Sequence, residues 1–253
     1  MVRKTRLVRK PDLGDRVASG VDIKVLSTTA LKMVFEELKP RFERESGHRL
    51  DITLGPSAAL EARVDQGEAV DVAILTGPGA RDLAGRGKLA SASLTNVARS
   101  LVGVGVRKGA PKPDISTPEK FKQAMLAAKA IACSKPVGGG ASGAHLAKVF
   151  ERLGISDAMQ AKSKYGAGGT SGLAGLFVVR GEADIAVQQM AELMMVDGID
   201  VVGPLPGELE GITQFTAGVP AAAPHAEAAR ALIAYLTTPA AKAVIKAKAL
   251  EPS

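Results

Sequence analysis

Four short segments of this 253-residue chain place glycine, serine or threonine immediately before a helical pattern: Ser27-Thr28-Thr29, Gly55-Pro56-Ser57-Ala58, Gly138-Gly139-Gly140-Ala141-Ser142-Gly143 and Gly168-Gly169-Thr170-Ser171-Gly172. The first N–H groups of a helix have no partner within it, and the helix dipole is positive at that end, so each segment can donate hydrogen bonds to negative charge. Hydroxyls add donors without burying a counter-ion. Ser57 or Thr28 alone reads more readily as a helix cap. Four such segments together suit a small anion. The glycine run is not a Walker loop, because no Lys-Ser or Lys-Thr closes it, and it lacks the spacing of a dinucleotide fingerprint.

A second group of residues could act on such an anion. Gly181-Glu182-Ala183-Asp184-Ile185-Ala186-Val187-Gln188-Gln189 reads as a turn passing into an apolar strand that ends in two amides, as in the cleft wall of a two-lobed solute receptor. The Gln189 amide offers both a donor and an acceptor. Arg99, next to Ser100, is placed to make a planar bidentate pair with a carboxylate if it faces the cleft; otherwise it points to solvent from a strand edge. His145 and Glu192 are the candidate proton-transfer groups, each also readable as structural. Ser142 and His145 are neighbours on one helix turn, and nothing completes a Ser-His-Asp arrangement.

Other chemistry has little support. Cys133 is the only cysteine and sits in the apolar run Ala130-Ile131-Ala132-Cys133, so it reads as a small buried hydrophobe. His48, His145 and His225 show no paired ligand spacing, and neither a metal nor a cofactor is expected. The formal charge is +7, but Arg3, Lys4, Arg6, Arg9 and Lys10 supply much of the excess; beyond them the charges are interspersed, and aromatics are only 3%. Nucleic-acid binding is therefore not expected. No stretch is long and apolar enough to span a membrane.

Hydrophobic periodicity alternates strands and helices, which predicts an α/β fold with mostly parallel sheets. Strands are expected at 23–26, 50–54, 70–75, 97–106, 130–134, 184–188, 199–206 and 212–219, and helices at 30–46, 56–66, 142–153, 173–180, 224–236 and 239–249. Pro40 is expected to kink the first helix. Thr117-Pro118-Glu119 opens another, with Thr117 as N-cap and Pro118 at the first helical position. The pattern begins afresh after the Pro-rich segment 110–114 and this helix start, and 101–105 reads as a crossing between lobes. The chain therefore divides into a basic, poorly ordered tail over 1–21, a discontinuous first lobe over 22–101 and 214–253, and a second lobe over 102–213.

The order of these segments resembles the molybdate-binding, type II periplasmic solute-binding proteins. The likeness is carried by Val25-Leu26-Ser27-Thr28-Thr29-Ala30-Leu31, Gly55-Pro56-Ser57-Ala58-Ala59-Leu60, Asp71-Val72-Ala73-Ile74, Ala141-Ser142, Gly181-Glu182-Ala183-Asp184 and Leu236-Thr237-Thr238-Pro239-Ala240-Ala241. It covers roughly Asp22 to the C-terminus. It implies an oxyanion held between the lobes by neutral donors, here Ser27 or Thr28, Ser57, Ala141 or Ser142, and Thr170 or Ser171. It also implies hinge closure, a monomer and delivery to an ABC-type permease. Molybdate binders of this family usually carry Tyr where this chain has Gln189, which leaves the ligand open between a molybdate-like oxyanion and a small organic carboxylate.

Gln188-Gln189-Met190-Ala191-Glu192-Leu193 also resembles the aconitate isomerase branch of the same superfamily. That likeness implies a proton shift on a tricarboxylic acid, with His145 or Glu192 as base. Met1 to Gly20 has no continuous apolar region, since Asp12, Asp15 and Arg16 interrupt it. The location is therefore read as periplasmic if a leader is missing, and as cytoplasmic otherwise.

Overall fold

The computed structural model describes residues 20–138, 140–166 and 172–253. Most of the tail expected over 1–21 lies outside them; Val21 is described, and it packs against the first core. In chain order the elements are β1 (Asp22–Thr28), α1 (Lys32–Ser46), β2 (Arg49–Gly55), α2 (Ser57–Asp65), β3 (Val72–Thr76), α3 (Gly77–Gly85) and β4 (Thr95–Arg107). There follow α4 (Pro118–Ala127), β5 (Ile131–Ser134), α5 (Ala141–Arg152), α6 (Ser156–Lys162), β6 (Ser163–Gly166) and α7 (Ala174–Val179). The chain closes with β7 (Ile185–Gln189), α8 (Met190–Leu193), β8 (Ile199–Pro204), β9 (Ile212–Gly218), α9 (Ala226–Leu236), α10 (Pro239–Ala247) and β10 (Glu251–Pro252).

One curled mixed sheet runs β2-β1-β3-β9-β4-β7-β5-β6, with helices on its faces. The pairs β1 with β2 and β3, and β5 with β6 and β7, are parallel; those made by β4 and β9 are antiparallel. The long strand β4 is shared. Thr95 to Leu101 pair with β9, and Val102 to Arg107 pair with β7 and β8. Two large aliphatic cores follow this division. One gathers Val25, Val34, Leu38, Ile74, Phe215, Leu232 and Ile245, the other Val104, Phe121, Met125, Leu146, Phe150 and Val187. The fold is thus a two-lobed α/β architecture, with one large core to each lobe.

Local chemistry explains most boundaries. Thr117 accepts from the Lys120 N–H at 3.2 Å with Pro118 beside it, as the sequence predicts. Helix α1 runs on through Pro40 to Ser46, its buried Val34, Phe35, Leu38 and Phe42 outweighing the hydrogen bond that proline removes. Helices α3, α6 and α8 and strands β6 and β10 are not among the expected elements. They are short, and α3 begins at Thr76-Gly77-Pro78, where the threonine hydroxyl accepts from Gly79 N–H at 3.4 Å. That cap and proline are a readable start signal.

The Gly-Glu-Ala-Asp turn leads into β7, at the opposite end of the strand from Gln188 and Gln189. Asp184 accepts from Lys129 N–H at 2.6 Å while its own N–H donates to Ala130. Asp71 repeats this in the first lobe, accepting from Lys24 N–H at 2.9 Å and donating its N–H to Lys24 O. Each aspartate clamps two strand starts. The five residues of β7 separate Asp184 from the opposite strand end by roughly 17 Å. The motif therefore builds the sheet, and only the terminal amides reach the cleft.

Candidate functional site

The parallel strands β1, β3, β5 and β7 point their C-terminal ends at one crevice, the usual ligand position in open α/β sheets. An inner cavity of about 30 Å³ lies there. From the first lobe it receives Thr28, Thr29, Pro56, Ser57, Thr76 and Phe215; from the second, Gly140, Ala141, Ser142, Gln188, Gln189 and Glu192. That space holds about two waters, or the two oxygens of one carboxylate. It opens into a wider cleft of about 510 Å³ that shares Ser57, Thr76, Gly140 and Ala141 and adds Glu61, His145, Lys148, Gly211 and Gln214.

Each donor is held by its element. Ser57 is the first residue of α2, and its hydroxyl accepts from Thr76 N–H at 3.2 Å, which fixes it between α2 and the end of β3. Ser142 stands in the first turn of α5, its hydroxyl 3.4 Å from that of Ser134 at the end of β5. Gly143 makes this approach feasible, because a Cβ there would lie 2.3 Å from Lys135 O and 2.6 Å from Ser134 O. The N-termini of α2 and α5 thus face one cavity from opposite lobes. No cationic side chain lines it among the described residues.

The amides are split in their duties. Gln188 accepts from Ala174 N–H at 2.8 Å and donates to Ser134 Oγ at 3.4 Å, so it serves the second lobe. Gln189 donates to Thr213 Oγ1 at 2.7 Å, while its Oε1 is buried without a donor. Thr29 Oγ1 is buried and unpartnered as well. Buried polar atoms are normally satisfied, so the cavity retains hydrogen-bonding capacity for a guest or ordered water.

Glu192 is the one ionisable group lining the inner cavity among the described residues. Helix α8 starts directly at the end of β7; Ala191 packs into the first core and Leu193 into a cluster with Ala132 and Val178. The residue between them is left facing the crevice. Burial pushes its carboxyl up to about 7, a contact from Gln188 opposing the shift. At neutral pH such a group is present in both protonation states.

The structure brings Thr28, Ser57, Ala141, Ser142, Gln189 and Glu192 together. Ser27 is fully buried and donates to Thr28 O at 3.3 Å, outside the lining. Arg99 takes the solvent-facing alternative, about half exposed and paired with Glu251 at 2.9 Å across β10. Its β-strand neighbour Ser100 is the buried one, because alternate residues face opposite sides. His145 lies on the outer wall, its Nε2 donating to Leu209 O at 2.9 Å and its ring against Gly211. Thr170 and Ser171 lie outside the described residues. Thr29 and Gln188 stood in segments the sequence singled out without being chosen as ligand residues; Thr76, Phe215, Glu61 and Lys148 were passed over, and of these only Thr76 had a signal, its cap before Gly77-Pro78.

Burial also pushes the Cys133 thiol up to about 11, which keeps it unreactive at neutral pH. Among the described residues no group of three or more His, Cys, Asp or Glu could hold a metal ion, and no helix is long and apolar enough to cross a membrane.

Comparison with known proteins places the fold in a family. The family described as bacterial extracellular solute-binding protein matches residues 23–249. The aconitate isomerase of a Pseudomonas species is 33% identical over 234 residues, covering 90% of this chain and 87% of that protein. Among solved structures, the periplasmic molybdate-binding protein of Azotobacter vinelandii superposes with a TM-score of 0.74 at 20% identity, covering 90% of this chain and 98% of its own. A sulfate-binding protein from Mycobacterium tuberculosis superposes at 0.69 with 17% identity, covering 92% and 87%.

Proposed function

We propose, from the premise that this chain belongs to the bacterial extracellular solute-binding protein family, that its cleft takes a small organic tricarboxylate of the aconitate type and shifts a proton on it. The observation that carries this reading is the carboxyl of Glu192 among otherwise neutral donors. Binding a small anion needs no carboxyl among its donors, so a chemical role accounts for the presence of this one. As a group poised near neutrality it suits general acid–base work. The 33% identity to an aconitate isomerase supports the same chemistry.

In this mechanism one substrate carboxylate enters the inner recess against the N-termini of α2 and α5 and the hydroxyls of Ser57 and Ser142. Ionised Glu192 takes a proton from the methylene carbon of the substrate. The electron pair left behind delocalises over the allylic system and its carboxylate. The carboxylic acid of Glu192 then returns the proton to the other end of that system, the double bond moves, and Glu192 is ionised again. His145 takes no part in the transfer; it pins α5 to the segment at Leu209.

The neutral donor set favours a second reading, a receptor that closes on its anion and delivers it to an ABC-type permease outside the cytoplasm, as molybdate- and sulfate-binding neighbours of the same fold suggest. In both readings the moving parts are a lobe of 22–101 with 214–253 and a lobe of 102–213, hinged at β4 and β9. A thermal-shift screen against molybdate, tungstate, sulfate, phosphate and di- and tricarboxylates tests them, because a ligand stabilises the folded state by mass action. Shifts by tricarboxylates, with isomerisation of aconitate followed by ultraviolet absorbance, support the enzyme. Shifts by molybdate and tungstate alone overturn it.

A further inference from the structure

We infer that Lys148 forms an outer carboxylate subsite, which selects ligands carrying a second negative group beyond the one held in the inner recess. The inference rests on the organic-acid reading above. The recess of about 30 Å³ is small beside the cleft of about 510 Å³, so a polycarboxylate with one carboxylate in the recess extends into the wider cleft. Ala141, Ala144, His145 and Lys148 all line that cleft, a spacing that places them on one face of α5.

Long side chains on a helix lean back over the turn that precedes them. The exposed Lys148 side chain therefore leans toward Ala144 and onward to Ala141, the residue shared by recess and cleft. Two alanines leave this face uncovered. Lys148 is the only lysine or arginine lining either part of the cleft among the described residues. Across from it, Glu61 of α2 accepts from Thr76 Oγ1 at 3.2 Å. A second ligand carboxylate is thus repelled from the first-lobe wall and attracted to the second-lobe wall, which sets one orientation for an extended acid.

The test is titration calorimetry of the full chain with acetate, succinate and tricarballylate, a saturated tricarboxylate with no double bond to shift. Lys148→Met should weaken tricarballylate about fivefold, the upper range for a solvent-facing ion pair, and leave acetate within twofold. Lys148→Arg should restore most of the loss, and the difference should shrink as salt rises. Unchanged melting of Lys148→Met confirms that it folds. A Lys148→Met protein that binds tricarballylate as the wild type does overturns the subsite alone. A wild-type protein that binds none of the three acids removes the organic-acid reading, and the subsite with it.

Discussion

Gln189 donates to the hydroxyl of Thr213 at 2.7 Å, tying the end of β7 to the start of β9 where the chain passes between the lobes. Gln189 Oε1 and the hydroxyl of Ser100, the strand partner of Thr213, are buried there without partners. Unmet polar capacity is thus concentrated where a guest would be felt by both lobes. Because the Thr213 hydroxyl can either accept or donate, the Gln189 amide can turn and offer its NH2 group to an anion. Gln189→Glu keeps the shape but replaces that donor with an acceptor, and should lower tricarballylate affinity by more than tenfold in calorimetry. An unchanged affinity would remove Gln189 from the binding set.

Glu192→Gln removes the proton-transfer group while keeping its size. Aconitate isomerisation, followed by absorbance, should fall by roughly 10²- to 10⁴-fold, with tricarballylate binding kept or tightened. Full turnover in this variant would rule Glu192 out as the base.

The same carboxyl makes stability depend on pH. Its folded value of about 7 lies above the ordinary 4.5, so between those limits the folded state binds more protons than the unfolded one. The contribution of this group to stability is therefore full below the unfolded value and is lost as pH rises toward and through 7. Denaturant melts at pH 5, 6, 7 and 8 should show this decline in the wild type and a shallower one in Glu192→Gln. Parallel curves would contradict the assignment.

Arg99 and Glu251 are both about half exposed, so their 2.9 Å pair contributes little. Arg99→Ala should change unfolding free energy by roughly 1 kcal/mol or less and leave tricarballylate affinity untouched. A large loss of affinity would return Arg99 to the cleft.

Gly211 lies under the His145 ring, and a Cβ there would come within 2.5 Å of His145 Cδ2 and 2.9 Å of Val102 Cγ2. Gly211→Ala should cost roughly 1–3 kcal/mol of stability through overpacking, read from a denaturant midpoint. A wild-type midpoint would show that the ring and strand give way freely.

Much of the framework was legible because it rests on local rules. Alternating apolar runs announced β1, β2, β3, β5 and β7, and Thr117-Pro118 announced α4, since periodicity and capping act within a few residues. Short elements were not legible. Helix α8 has four residues, too few for a helical period to register, yet it is what aims Glu192 at the cleft. The Gly-Glu-Ala-Asp turn was legible as the lead into β7, but what it holds was not. Its role as a clamp on Lys129 depends on a strand 55 residues away.

The residue order by itself determined the α/β class, the hydroxyl- and glycine-bearing helix starts, and the presence of a single cysteine, because these depend on residue type and short spacing. Only the tertiary structure decided which of those groups meet. Ser57 and Ser142 are 85 positions apart and converge because two sets of parallel strands end at one crevice. Ser27 and Thr28 are adjacent, and strand alternation sends one into the core and the other to the cavity. Glu192 owes its proton affinity to burial, a property of the surrounding fold that no neighbour in sequence supplies.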